Sequence, residues 1–471
     1  MPLVTLRRNT ARPLVDQIVE GIIRAIDGHD VRPGAKLPSI RNFAKDHGVS
    51  RFTVVDAYDR LVAQGYLSSR RGSGFYAIDP HPHHSIPDQG VNYRNNEEVV
   101  WLIRRLLDSG HDLTLVGGPW LPRSWLDEAA LRKGLRHLAG QDGDHILDYG
   151  HPAGFGPLRE QIAEVLLPEI GIKASPSQIL LTTGASQALD LVIRHLLKPG
   201  DAVLVDDPGY YNLFGNLRAS GIRLISVPRG LKGPDVDVLE AKAAETHPKL
   251  YFTQSVLQNP TGTSMSPAVT HRVLQAAVNH DFLVVEDDIF SDLSLENIPR
   301  LATLDQLSRV IYLRSFSKTL SGSLRVGFIA SSPLLIQSLT ETKMVTSITT
   351  SLLAEKLIHQ MLTDGHYRKL TARLRTKIGD ANSRLHDAFD KIGITTIAPD
   401  NPSMFLWGRY RDIEDSLPIA EHASHEGLLL APGTVFRPSL QPSPWMRFNV
   451  AVCDNPGVLK KLKFLPDTLR R

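Results

Sequence analysis

The chain has a single cysteine, Cys453, among 471 residues. One thiol excludes an intrachain disulfide framework and a cysteine-based zinc site, and its place at the end of the apolar segment Asn449 to Cys453 reads as a core position. No run of about 18 apolar residues occurs, so no membrane-spanning helix is expected. Met1 to Arg8 carries charge with no apolar core behind it, which gives no secretory signal. These absences point to the cytoplasm. What is present is globular: 42% apolar and 22% charged residues, in a chain long enough for two or three domains with their own cores.

The net charge of +3 conceals an asymmetry: residues 1–78 hold twelve Lys and Arg against seven Asp and Glu, a balance of +5, which leaves −2 for the rest. The positive end is the candidate nucleic-acid face. Within it, Leu14, Ile18, Ile22 and Ile26 share one helical face that stops at Asp27 and Gly28. Ser39 is placed to cap a short helix, and Ser50, after the turn His47 to Val49, to cap a second one running to about Gln64. Two short β segments follow, around the tip Gly72-Ser73-Gly74. Two helices across a glycine-bearing turn, then a β wing, form a winged helix-turn-helix pattern.

The segments Leu37 to Arg41, Val49 to Thr53, Ala57 to Leu61 and Gly65 to Leu67 with Gly72 to Gly74 resemble GntR-type winged helix-turn-helix domains. The partner so implied is double-stranded operator DNA. The second helix, with Ser50 at its head, would enter the major groove and bring Arg51 and Thr53 to base edges or phosphates. Arg41, with Arg71 and Gly72 in the wing, would meet the backbone or minor groove. Residues 79–96, rich in Pro, His and Asn, read as a linker. His81, His83 and His84 belong to this polar tether rather than to a metal site, and no metal is expected. The expected domains are 1–78, the linker 79–96, and 97–471.

Beyond the linker, apolar strands alternate with helical segments, the pattern of an α/β domain with a mostly parallel sheet covered by helices. At its centre lies Ser315 to Arg325, where a strand turns into a Gly/Ser loop carrying Lys318. A lysine attacks carbonyls only when burial or a neighbouring cation lowers its pKa, and Arg325 is such a cation. Arg325 can also clamp a phosphate, with Ser315 donating to it. Lysine, hydroxyls and arginine converge on an aldehyde that carries a phosphate, pyridoxal 5'-phosphate, with Lys318 as its Schiff-base residue. Gly184, Ala185 and Ser186 form a turn at a helix start, an anion cradle. Asp287 ends a buried strand and needs a cationic partner.

Together with Tyr149-Gly150, Pro208-Gly209-Tyr210, Asn259-Pro260 and Arg447-Phe448-Asn449, these segments resemble, in order and spacing, the fold type I aminotransferases. The resemblance implies a large cofactor domain with a smaller C-terminal subdomain. In it Tyr149 reaches the phosphate of the other subunit, which implies a homodimer. Tyr210 stacks on the pyridine ring, Asn259 donates to the phenolic oxygen, Asp287 keeps the ring nitrogen protonated, and Arg447 takes an effector or substrate carboxylate. The family's tyrosine two or three residues after the aspartate is replaced by Ile289 and Phe290, which counts against efficient transamination. A GntR-type reader fused to such a domain resembles the MocR/PdxR regulators. The implied function is transcription control through pyridoxal phosphate and a small amine or amino acid. The alternative is an active aminotransferase with an accessory DNA-binding domain.

Overall fold

A computed structural model describes residues 4, 6, 12–27, 31, 32, 34–70, 73–78, 102, 103, 106, 107, 113–140 and 147–469. The chain divides into two compact units, Met1–Asn92 and Tyr93–Arg471.

In the first unit, helices α1 (Leu14–Asp27), α2 (Ile40–His47) and α3 (Arg51–Ala63) precede strands β1 (Leu67–Arg70) and β2 (Gly74–Ala77). Ile18 and Ile22 of α1 meet Phe43 of α2 and Val54, Tyr58 and Leu61 of α3 in one buried core. Both expected caps form: Ser39 Oγ accepts from the Asn42 amide at 3.2 Å and Ser50 Oγ from the Thr53 amide at 3.0 Å. Gly48 ends α2 at φ +62°, a left-handed conformation that glycine adopts without steric cost. The antiparallel wing pairs Leu67 with Ala77 and Arg70 with Gly74, and Lys36 adds a bridge to Tyr76. The wing-tip residues Arg71 and Gly72 and the expected linker 79–96 lie outside the described residues. Removing the second cap in Ser50→Ala should cost about 1 kcal/mol. Amide exchange at Thr53 in the full chain, expected to be roughly fivefold faster, checks this.

The second unit is built on an eight-stranded sheet of order β3-β10-β9-β8-β7-β4-β5-β6. Its strands are β3 (Ile179–Thr182), β4 (Ala202–Asp207), β5 (Arg223–Gly230), β6 (Gly233–Pro234), β7 (Leu250–Thr253), β8 (Leu283–Asp287), β9 (Val310–Ser315) and β10 (Gly327–Ala330). The pairs among β5, β4, β7, β8 and β9 are parallel; β10 runs antiparallel between β9 and β3, and β6 antiparallel on the edge. Successive side chains of a strand point to opposite faces, and a sheet covered on both sides must be apolar on both. Accordingly Leu204, Tyr251, Val284 and Val310 join one core, while Val203, Phe252, Val285 and Ile311 join the other. A smaller antiparallel sheet, β11 (Ile394–Thr396), β12 (Phe405–Tyr410), β14 (Trp445–Asn449) and β13 (Ala431–Pro432), forms the expected C-terminal subdomain.

Candidate functional site

Ligands of open α/β sheets sit beyond the carboxyl ends of the strands. In this chain β8 ends on Asp287, β9 ends on Ser315 and runs into the Lys318 loop, and β4 leads within three residues to Tyr210. A cavity of about 550 Å³ opens there, of small-molecule size. Six of the expected residues line it: Ala185, Ser186, Tyr210, Ser315, Lys318 and Arg325.

Lys318 is half-buried with its amine enclosed, and its ammonium donates to the Pro119 carbonyl at 2.9 Å. Its pKa is pushed down to about 7, first by burial and then by Arg447; Asp287 opposes the shift and Arg325 adds the least. Arg325 thus lowers the pKa in the expected direction, but burial and Arg447 act more strongly. The Phe290 ring lies 5.5 Å from Nζ and the Trp120 ring 5.9 Å, so aromatic carbon replaces water around the amine.

Three consecutive acids, Glu286, Asp287 and Asp288, end β8, and their partners separate their roles. Glu286 accepts from the Leu301 and Ala302 amides at 2.9 and 2.8 Å, and Asp288 binds Arg300 at 3.2 Å and the Tyr312 hydroxyl at 2.5 Å; both are structural. Asp287, with no ion pair among the described residues and a neutral amide as its side-chain partner, is the acid best placed for a ligand. Its Oδ2 accepts from Gln254 at 2.9 Å, whereas Oδ1 is buried with no hydrogen-bond partner among the described residues, the Ile289 backbone exerting only a small pull. Burial pushes this carboxyl up to about 7. A buried acceptor with an empty valence suits an N–H donor bearing positive charge, as a pyridinium does.

The other end of the cavity suits an anion. The helix Gly184–Leu196 has no side-chain cap, so its first amides face the opening. Arg325, itself held at φ +51°, reaches the Thr183 carbonyl at 3.3 Å and Ser317 Oγ at 3.4 Å. Its guanidinium lies against Gly184, where a Cβ would come within 2.8 Å of Nη2 at φ +69°. Ser315 lines the cavity, but its hydroxyl also bonds within the loop, at 3.0 Å to Ser317 and 3.2 Å to the Val326 carbonyl. Ser317, which no sequence signal singles out, stands beside it in the lining.

Arg447 is fully buried on β14 beneath the Phe405 and Phe436 rings, 4.6 and 5.0 Å away. It donates from Nε and Nη2 to the Gly117 carbonyl, at 3.1 and 2.6 Å, and from Nη1 to Asn259 Oδ1 at 2.7 Å. Arginine has five N–H donors, so these bonds leave further donors for a carboxylate. With its oxygen engaged by Arg447, Asn259 presents its amide as a donor. Neither residue lines the 550 Å³ cavity directly; Arg447 lies 5.8 Å from the ring of Tyr211, which does. Tyr210 lines this cavity and also a void of about 20 Å³ below Asp287, room for one water. Tyr149 does not meet the others within the chain: it is 81% exposed, and Leu147 beside it 98%. Its loop is held from beneath by buried Lys343, which donates to the Pro152 and Leu181 carbonyls at 2.8 Å each, and by Glu355, which accepts from the Phe155 amide at 2.9 Å.

In the first unit Arg41 and Arg51 are exposed, while Thr53 is half-buried and its hydroxyl shares the cap with Ser50 at 2.8 Å. Phe52, not among the expected DNA-facing residues, is 86% exposed beside Arg51. Its signal was available: the apolar positions facing the core from α3 are Val54, Tyr58 and Leu61, and Phe52 lies off that stripe.

Asp287 gives a pH-dependent prediction. Its raised pKa means that between about pH 4 and 7 the unfolded carboxyl releases a proton that the folded one keeps, so folding stability falls with rising pH across that window. Without cofactor, Asp287→Asn should therefore melt higher than the parent above pH 7, by roughly 3 °C or more, with the difference fading towards pH 4. With pyridoxal phosphate present the order should reverse, since the variant offers no counter-charge. Melting curves at pH 4.5 and 8, with and without the cofactor, check both halves.

Among known proteins, residues 119–463 match the family model for aminotransferase class I and II, and residues 14–77 that for bacterial regulatory proteins of the gntR family. The uncharacterized HTH-type transcriptional regulator YdfD of Bacillus subtilis is 30% identical, over 78% of this chain and 77% of that protein. The probable rhizopine catabolism regulatory protein MocR of Rhizobium meliloti is 28% identical, over 79% of this chain and 76% of its own length. The crystal structure of Pyrococcus horikoshii kynurenine aminotransferase, complexed with PMP, superposes with a TM-score of 0.72 at 28% identity, covering 79% of this chain and 94% of that one.

Proposed function

The chain belongs to the aminotransferase class I and II family and carries a gntR-family domain ahead of it, and from that premise we propose a transcriptional regulator of the MocR/PdxR subfamily, which binds double-stranded DNA and answers to pyridoxal phosphate and a small amine. The observation that carries this reading is the pairing in one chain of a capped reading helix with a cavity of small-molecule size that is lined by Ile289 and has the Phe290 ring beside Lys318, where a hydroxyl was expected.

When bound, pyridoxal phosphate supplies an aldehyde that amines condense with and a ring that withdraws electrons. Lys318, neutral for much of its time near pH 7, would hold the aldehyde carbon through Nζ. Ala185 and Ser186 at the helix start, with Ser315 and Arg325, would hold the phosphate. Asp287, bonded by Gln254, would accept from the ring N–H, and Tyr210 would pack against the ring. An entering amine would compete with Lys318, and Arg447 would take its carboxylate. Tyr149, exposed on each protomer, completes the neighbouring site in a homodimer. The coupling to DNA can be no larger than the amine's differential affinity for the two domain arrangements. No described helix is long and apolar enough to cross a membrane, and a DNA-binding role places the protein in the cytoplasm.

A second reading, a working aminotransferase, is favoured by the retained Asp287, Lys318 and Arg447. The test uses the full chain and a duplex enriched from a random pool. The regulator binds it with steep salt dependence, shifts affinity when pyridoxal phosphate and an amine are added, and turns over amino acid and 2-oxo acid well below about 1 s⁻¹. Ordinary enzyme turnover with no enriched duplex would establish the enzyme instead.

A further inference from the structure

Beyond the residues assigned to the cofactor, the lining of the 550 Å³ cavity includes an apolar wall of Ile103, Leu106, Leu107, Pro119, Trp120 and Ile289, with the uncharged Tyr211, Asn212, Ser317 and Gly322 beside it. The only charged side chains among its described lining are Lys318 and Arg325, and no carboxylate is among them. Arg325 is committed to the anion cradle, and Lys318 holds the aldehyde until an entering amine displaces it. Arg447 lies behind this wall as a single carboxylate receiver, boxed by Phe405 and Phe436 and already bonded to Gly117 and Asn259.

A second charge on an effector would leave water for that apolar wall with no partner, which is costly, whereas an apolar body gains by the transfer. The indole of Trp120 and the ring of Phe290 flank the amine of Lys318, so the effector's own amine, arriving beside Nζ, places the substituent next to it against aromatic carbon.

We propose that the effector is a primary amine with an apolar, preferably aromatic, side chain and no more than one carboxylate. This rests on the cofactor reading above. Dicarboxylic amino acids, diamines and basic amino acids are rejected because no described residue of that wall carries a charge to neutralise their second one.

The full chain loaded with pyridoxal phosphate is titrated with phenylalanine, leucine, glutamate and lysine while the visible absorbance is followed. Phenylalanine or leucine should move the band at a concentration at least about tenfold below that needed of glutamate or lysine. Leu107→Arg, a change at a 69% exposed position that the fold tolerates, should narrow the gap for glutamate by roughly threefold or more and leave lysine excluded. Glutamate or lysine acting as well as phenylalanine on the parent chain overturns the inference. So does a band that none of the four amines moves, which leaves the cofactor reading standing. No band at all removes the cofactor reading and this inference with it.

Discussion

Lys318→Ala protein mixed with pyridoxal phosphate should acquire none of the visible absorbance band that the parent acquires, and its cofactor should wash out on dialysis. A lowered pKa alone does not choose this lysine. Lys343 is fully buried, with its pKa lowered to about 8 by desolvation. The two are separated by their surroundings. The ammonium of Lys343 is spent on the Pro152 and Leu181 carbonyls and on Thr350, with Glu355 nearby, and it has no place in the lining of the 550 Å³ cavity. Lys318 makes one such bond, to Pro119, and lines the cavity. Borohydride treatment of the loaded parent followed by peptide mass analysis should therefore place the pyridoxyl mass on the peptide bearing Lys318. Mass on the Lys343 peptide, or a band that survives in Lys318→Ala, would refute the assignment. Because Lys318 must be neutral to react, band formation should slow as pH falls below about 7, where its amine takes up a proton. Free lysine would show that fall near its ordinary value instead.

Arg51→Ala should weaken binding to the enriched duplex by about 10- to 100-fold at fixed salt. The side chain is exposed at the first residue of α3, and the N-terminal residues of a recognition helix are those that reach bases or phosphates. The salt dependence says which it reaches. If the arginine binds a phosphate, its removal lowers the slope of log affinity against log salt by about one and weakens all sequences alike; if it binds a base edge, its removal relaxes the preference at one position. Phe52 provides the contrast. An exposed ring beside that arginine suits a thymine methyl, so Phe52→Ala should lose sequence preference and little salt dependence. Replacing thymine by uracil in the duplex removes only the methyl and should cost the parent about fourfold while costing Phe52→Ala nothing. Unchanged affinity in Arg51→Ala at fixed salt would sink the reading of α3.

Much of this was legible in the chain because it is local. Ser39 and Ser50 cap helices three residues away, Asp287 and Ser315 end apolar runs, and the Gly184 to Ser186 turn opens a helix. What escaped is contact across long sequence separations. Arg447 is anchored on Gly117 and Asn259, 330 and 188 residues away, and Gln254, one residue past β7, steadies Asp287 at the end of the neighbouring parallel strand. Nothing periodic or compositional announces such pairs. Arg325, seven residues along the chain, was legible and does lower the pKa of Lys318, whereas burial and Arg447, both products of tertiary packing, act more strongly. The choice among Glu286, Asp287 and Asp288 rested on resemblance to a family, and the contrast between Asp288, paired with Arg300, and Asp287, bonded by the neutral Gln254, gives it a physical ground.

Cys453 lies fully buried behind the Asn449 cap, with its thiol driven far up by desolvation. A maleimide dye finds no competing thiol on a chain built this way. Single cysteines introduced at exposed positions in each of the two units would thus carry fluorophores without background, and energy transfer between them would follow the reader and the cavity as an amine arrives.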